Sequence, residues 1–247
     1  IPDDVAEGGT NSTVRLGLLY DTRDKEGAPS KGIWAEAHAT IAPKWLGTTN
    51  PYYKFSATWR HYVPIVENDI LTFAYRLNYQ GTFGKNAPYY VLPYITTMGQ
   101  SYDRDGMGGF RTIRGIMRNR VQGLDMASYN AELRWRFVSF TLGNQNIQLG
   151  LNCFSDGTMV TKEYNMSFGK TQSDFKSLEA YNKAKAGYDS YMGMGLAKDR
   201  PHVTAGGGFR FIMNQNFIVC LEYGKPVGKY SKQDGNGAFY INTGYLF

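Results

Sequence analysis

The sequence predicts an all-β protein, an antiparallel transmembrane β-barrel, on three observations. Nine segments alternate apolar and polar residues with a period of two, as strands do when their faces meet different surroundings. Aromatic residues make up 15% of the 247, with 19 tyrosines, and they crowd one side of those strands. Mean hydropathy is only −0.42, and no run approaches the roughly 20 apolar residues of a membrane helix. A barrel meets both conditions, because only every second residue of its strands faces lipid. The connections between strands also alternate between short and long, the pattern of the two rims of an outer-membrane barrel.

In order, residues 1–12 are polar and glycine-bearing, a linker or tail, which leaves 13–247 for the barrel. Val14, Leu16, Leu18 and Tyr20 alternate with Arg15, Gly17, Leu19 and Asp21. The second strand sets Ile33, Ala35, Ala37, Ala39 and Ile41 against Trp34, Glu36, His38 and Thr40. The third sets Tyr53, Phe55, Ala57 and Trp59 against Lys54, Ser56, Thr58 and Arg60. In the fourth, Leu71, Phe73, Tyr75, Leu77 and Tyr79 oppose Thr72, Ala74, Arg76, Asn78 and Gln80. One side is too apolar for water and the other too polar for a dry core, which favours a wet-lumen barrel over a sandwich.

A long loop at 84–123 follows, expected to fold into the lumen. Strands five and six carry Leu133, Trp135 and Phe137, then Ile147, Leu149 and Leu151, on their apolar sides. The second long loop, 158–200, is expected to be extracellular, with a short helix at 173–186 capped by Ser173. Strands seven and eight show Phe209 and Phe211, then Val219, Leu221 and Tyr223. The last strand, about 237–247, places Phe239, Ile241, Thr243, Tyr245 and Phe247 on one side. Turns at 66–69, 142–145 and 214–216 are short, and the connection at 21–32 is long for that rim. Nine is odd for a single-chain barrel, so strands upstream of Ile1 are expected.

The net charge of +6 brings no basic run interleaved with aromatics, so nucleic acid is not the expected partner. Cys153 and Cys220 have opposite parity, which argues against a disulfide, and no metal-ligand spacing appears. The three histidines are scattered. Glu36, Glu132, Asp156 and Glu222 lie on the polar side, yet no Ser/His/Asp constellation accompanies them, so no catalytic residue, cofactor or metal is assigned.

The loop centres on Gly108-Gly109-Phe110-Arg111-Thr112-Ile113-Arg114-Gly115-Ile116. An arginine folded against a sheet needs acceptors, and parity puts Glu132 and Asp156 on the polar side of the two strands that follow. Together with Tyr20-Asp21-Thr22-Arg23-Asp24, Pro29-Ser30-Lys31-Gly32, Tyr62-Val63-Pro64 and Leu92-Pro93-Tyr94, this loop resembles the BamA/TamA surface-antigen superfamily. The Val-Arg-Gly-aromatic motif of that family corresponds to Ile113, Arg114, Gly115 and Ile116, preceded by the paired Gly108 and Gly109. Ile116 stands where the family has an aromatic residue.

The resemblance implies that Glu132 and Asp156 hold Arg114 in a mainly architectural role. It implies that the chain is strands eight to sixteen of a sixteen-stranded barrel, with upstream periplasmic domains. It also implies that Tyr245 and Phe247 belong to a C-terminal strand signal. The implied function is an outer-membrane assembly or insertion factor working through a lateral seam and needing no enzyme chemistry. Its implied partners are outer-membrane lipid, unfolded outer-membrane proteins and periplasmic lipoproteins. A polypeptide translocation pore of the two-partner secretion type, or a structural barrel subunit, is the alternative.

Overall fold

The computed structural model describes residues 8–83, 87–92, 95, 106–163, 171–193, 200–214, 216–228 and 231–247. Nine strands form one antiparallel sheet in sequence order: β1 (Val14–Asp21), β2 (Gly32–Ala42), β3 (Tyr52–Val66), β4 (Leu71–Phe83), β5 (Asp125–Leu142), β6 (Gln145–Lys162), β7 (His202–Met213), β8 (Phe217–Val227) and β9 (Ala238–Thr243). Among the described residues β1 and β9 are its two edges. Of Leu92-Pro93-Tyr94, only Leu92 lies within the described residues.

The two faces differ as the alternation requires. The outer face leaves Leu16, Leu18, Trp59, Leu77, Tyr223 and Ile241 exposed. Such a face fits lipid, since a large apolar belt in water would drive association. The inner face buries Glu36, Lys54, Asn78, Gln80, Asn130, Glu132, Asp156, Arg210 and Glu222. Cys153 is exposed, Cys220 is buried, and both are free.

Residues 106–123 lie on the inner face, and they bring the small dry core of this region. Met107, Ile113, Ile116 and Val121 from the loop pack with Met126 of β5 and Val160 of β6. Ile116 is 1% exposed in that cluster, so an aliphatic side chain fills the place at the loop tip.

The connection expected from residue 158 begins later, because β6 continues to Lys162. Its last residues stay paired with β5, Val160 beside Met126, and Val160 sits under the loop. The helix also lies further along than 173–186. Thr171 and Asp174 cap a short 3-10 turn at Gln172–Asp174, and the α-helix α1 spans Leu178–Gly193. Ser177 rather than Ser173 serves its start, accepting from the Ala180 N–H at 3.2 Å.

The long turn between β1 and β2 is explained by its docking on the turn between β3 and β4. Asp24 accepts from the Ser30 N–H at 2.9 Å, the Ser30 hydroxyl at 2.6 Å and the Lys31 N–H at 3.1 Å. Asp69 takes Lys25, the Ser30 hydroxyl and Arg136, the last at 2.9 Å. Partial burial would raise both carboxyls. The bonds from Ser30 and Lys31 to Asp24, and those from Lys25 and Ser30 to Asp69 with the nearby Arg136 charge, hold them below 3.8 instead. A carboxyl lowered on folding stabilises fully above its unfolded value and loses that contribution as pH falls through its folded value. Docking of residues 22–32 is therefore expected to hold from neutral pH down to the ordinary aspartate range and to loosen progressively as pH falls below it. Proteolysis of this turn across that range should show the loss, and Asp69→Asn should flatten it; a turn equally resistant at both ends would refute the coupling.

Candidate functional site: an arginine cage on the inner face

The loop is shaped by its own backbone before it meets the sheet. The Gly109 N–H donates to the Ile116 carbonyl at 2.9 Å, and Met107 bridges Val121. The Thr112 hydroxyl accepts from the Gly108 N–H at 2.9 Å. Asn130 donates to the Thr112 carbonyl at 2.7 Å, and Arg76 donates to Asn130 at 2.9 Å. These ties aim Arg114 at β5, β6 and β8.

Arg114 is fully buried, and it meets carboxylates on β5, β6 and β8. Its Nε and Nη2 meet the two oxygens of Asp156 at 2.8 and 3.0 Å, a bidentate pair, and its backbone N–H donates to Asp156 at 3.0 Å. Nη1 reaches Glu132 at 2.8 Å and Glu222 at 3.0 Å. The guanidinium lies 3.5 Å over the Phe154 ring. Gly206 and Gly208 on β7 make room: a side chain at Gly208 would meet the Glu222 Cγ at 2.7 Å, and one at Gly206 would meet Phe154.

The cage is larger than one arginine and two carboxylates. Arg210 donates to Glu132 at 2.5 Å and Glu222 at 2.8 Å, and Asn152 donates to the same two oxygens at 2.7 and 2.9 Å. Arg134 donates from Nε to the other Glu132 oxygen at 2.9 Å. Three guanidiniums thus face three carboxylates, and their charges balance. That balance is what permits so much charge to be buried. All three carboxylates are used in pairing.

Sequence reasoning singled out Arg114, Glu132 and Asp156, and the structure brings these three together. It placed Glu222 on the polar side without assigning it a partner, and it passed over Arg134, Arg210 and Asn152. Their inward parity was the available signal; their convergence depends on the pairing of β5, β6, β7 and β8, which no spacing reveals.

The end of the chain departs from the expected strand. β9 stops at Thr243, and Gly244 turns with φ 86. Phe247 then lies on the inner side, 6% exposed, packed with Tyr62 and Ala74. It is not on the outer apolar side with Phe239 and Ile241. The glycine conformation breaks the period-two alternation at that point, and that is the physical reason for the correction.

Residues 4–247 match the Omp85 superfamily domain, and the chain belongs to that superfamily. Among solved structures it is similar to BamA from Haemophilus ducreyi lacking POTRA domains 1–3. The identity is 18% and the TM-score 0.60, with 94% of this chain and 42% of that chain covered. No curated protein matches the chain. The chain therefore spans less than half of the BamA chain that it matches, and the shared feature is the fold, that of an outer-membrane β-barrel.

Proposed function

We propose that this barrel is an outer-membrane protein insertion factor that works through a seam beside its last strand. One observation carries the reading. β9 is 6 residues long against the 11 of β8, and the chain leaves the sheet at Gly244 and turns inward. An edge with unmet backbone groups is costly in lipid, so it captures another strand or remains unstable. Superfamily membership supports the same reading. The partners it calls for are lipid, unfolded outer-membrane proteins and periplasmic lipoproteins. Glu132 and Asp156 serve in it as holders of Arg114, keeping the loop motif of Gly108, Gly109, Ile113, Arg114, Gly115 and Ile116 in place. Tyr245 and Phe247 serve as the movable end of the last strand. The role calls for no catalytic step.

Depleting the native protein is expected to lower many outer-membrane β-barrels together, read by quantitative proteomics of the membrane fraction. Loss confined to a single secreted polypeptide would replace the insertion reading with a translocation pore.

A further inference from the structure

The cage does more than hold the loop. Two of its arginines also grip the end of the chain. The guanidinium of Arg134 lies 4.1 Å from the centre of the Tyr245 ring, and that of Arg210 lies at the same distance. Arg134 also donates to the main-chain oxygen of Phe247 at 3.0 Å and sits 5.1 Å from its ring. A direct tie joins the loop to β9, because the Gly115 N–H donates to the Tyr240 hydroxyl at 2.8 Å. Gly244, where the chain turns inward, is held by its N–H on the Ile218 carbonyl at 3.0 Å and by the Cys220 thiol on its own carbonyl at 3.2 Å.

We propose that the arginine cage is a latch: the loop, through Arg114, and residues 244–247, through Arg134 and Arg210, are bound to one shared pair of carboxylates and hold or release together. Glu132 is the common element. One of its oxygens serves Arg114 and Arg210, and the other serves Arg134. Withdrawal of Arg114 leaves two guanidiniums facing three carboxylates. The remaining two are then drawn into the space around Asp156 and the Glu132–Glu222 pair, away from the Tyr245 ring and the Phe247 oxygen. The tail loses its grip, and the Tyr240 tie is lost in the same event. Linkage makes the effect reciprocal: a tail that leaves weakens the hold on the loop by the same factor. The latch stands on the cage geometry and goes beyond the seam reading, to which it adds a control element.

Hydrogen exchange of the full-length protein in membranes, read peptide by peptide, tests it. Arg114→Ala is expected to speed exchange in residues 244–247 roughly tenfold more than in β2, which carries only the general loss of stability. Tyr245→Leu is a milder change at the opposite end, and it is expected to speed exchange at residues 108–117 more than in β2. A loop that loosens while the tail keeps its wild-type exchange overturns the latch. So does a rise spread evenly over the barrel, which would make Arg114 a general staple. If Arg114→Ala does not assemble, the Tyr245→Leu result alone decides. Exchange does not read insertion, so failure of the latch and failure of the seam are told apart.

Discussion

Replacing Arg114 with alanine is expected to destabilise the barrel by about 3–5 kcal/mol, the cost of removing one partner from a buried charge cluster. The arginine is fully buried, as are Glu132 and Asp156. The damage is therefore not the loss of five contacts that water would replace. It is the stranding of Asp156, which loses both guanidinium bonds and keeps only the backbone N–H of residue 114, and of an excess negative charge shared by Glu132 and Glu222. A domain's whole stability is about 5–15 kcal/mol, so this share should be visible in any unfolding assay. Arg114→Lys should recover only part of it. A lysine keeps the charge but cannot fork onto Asp156 while also reaching Glu132 and Glu222, and it offers no plane to stack on Phe154. Comparing cold and boiled samples by gel mobility, with a urea titration beside it, gives the measurement. A wild-type mobility shift and an unchanged urea midpoint in Arg114→Ala would refute the cage as a stabilising device.

How far the cage could be read from the chain depends on which constraint each residue obeys. Parity is local, so the inward direction of Glu132, Asp156 and Glu222 follows from alternation alone. So does the separation of the two cysteines onto opposite faces. Register is not local. Arg210 reaches Glu132 because β6 lies between β5 and β7 with Asn152 opposite both Arg134 and Gly208. Nothing in the spacing of the chain encodes that alignment. The same limit explains the last strand. Phe239, Ile241, Thr243, Tyr245 and Phe247 keep a perfect alternation on paper, and only the left-handed backbone of Gly244 ends it. A glycine in an alternating run is a legible warning of a bend, but the destination of the residues beyond it is set by partners on β3, β4 and β5. The helix was misplaced for a different reason. Ser173 and Ser177 are equally good caps by type, and the 3-10 turn closed by Thr171 and Asp174 takes the first of them.

Gly115→Ala is expected to eject the loop tip, because two penalties coincide at one methyl group. Gly115 has φ 90, where an alanine costs about 1–3 kcal/mol in strain. Its Cβ would also stand 2.7 Å from the Gly224 carbonyl carbon and 2.8 Å from the Lys225 nitrogen. Both obstacles are backbone atoms of β8, held in the ladder with β7, and they cannot swing aside as a side chain would. Overpacking of this kind costs about 1–3 kcal/mol more. The sum reaches the scale of the cage itself, about 3–5 kcal/mol, so withdrawing the loop becomes as favourable as tolerating the clash. Two other glycines separate the contributions. Gly143 has φ 59 with open space around it, so Gly143→Ala carries backbone strain alone. Gly224 has an ordinary φ but would press its Cβ to 3.0 Å from the Gly115 nitrogen, so Gly224→Ala carries the contact alone. Limited trypsin digestion reads the outcome, since the bond after Arg114 is buried and can be cut only when the tip leaves the sheet. The expected order of cleavage is Gly115→Ala fastest, Gly224→Ala intermediate and Gly143→Ala as slow as wild type. Equal cleavage of Gly115→Ala and wild type would mean that the close approach of loop and β8 does not hold the tip in place.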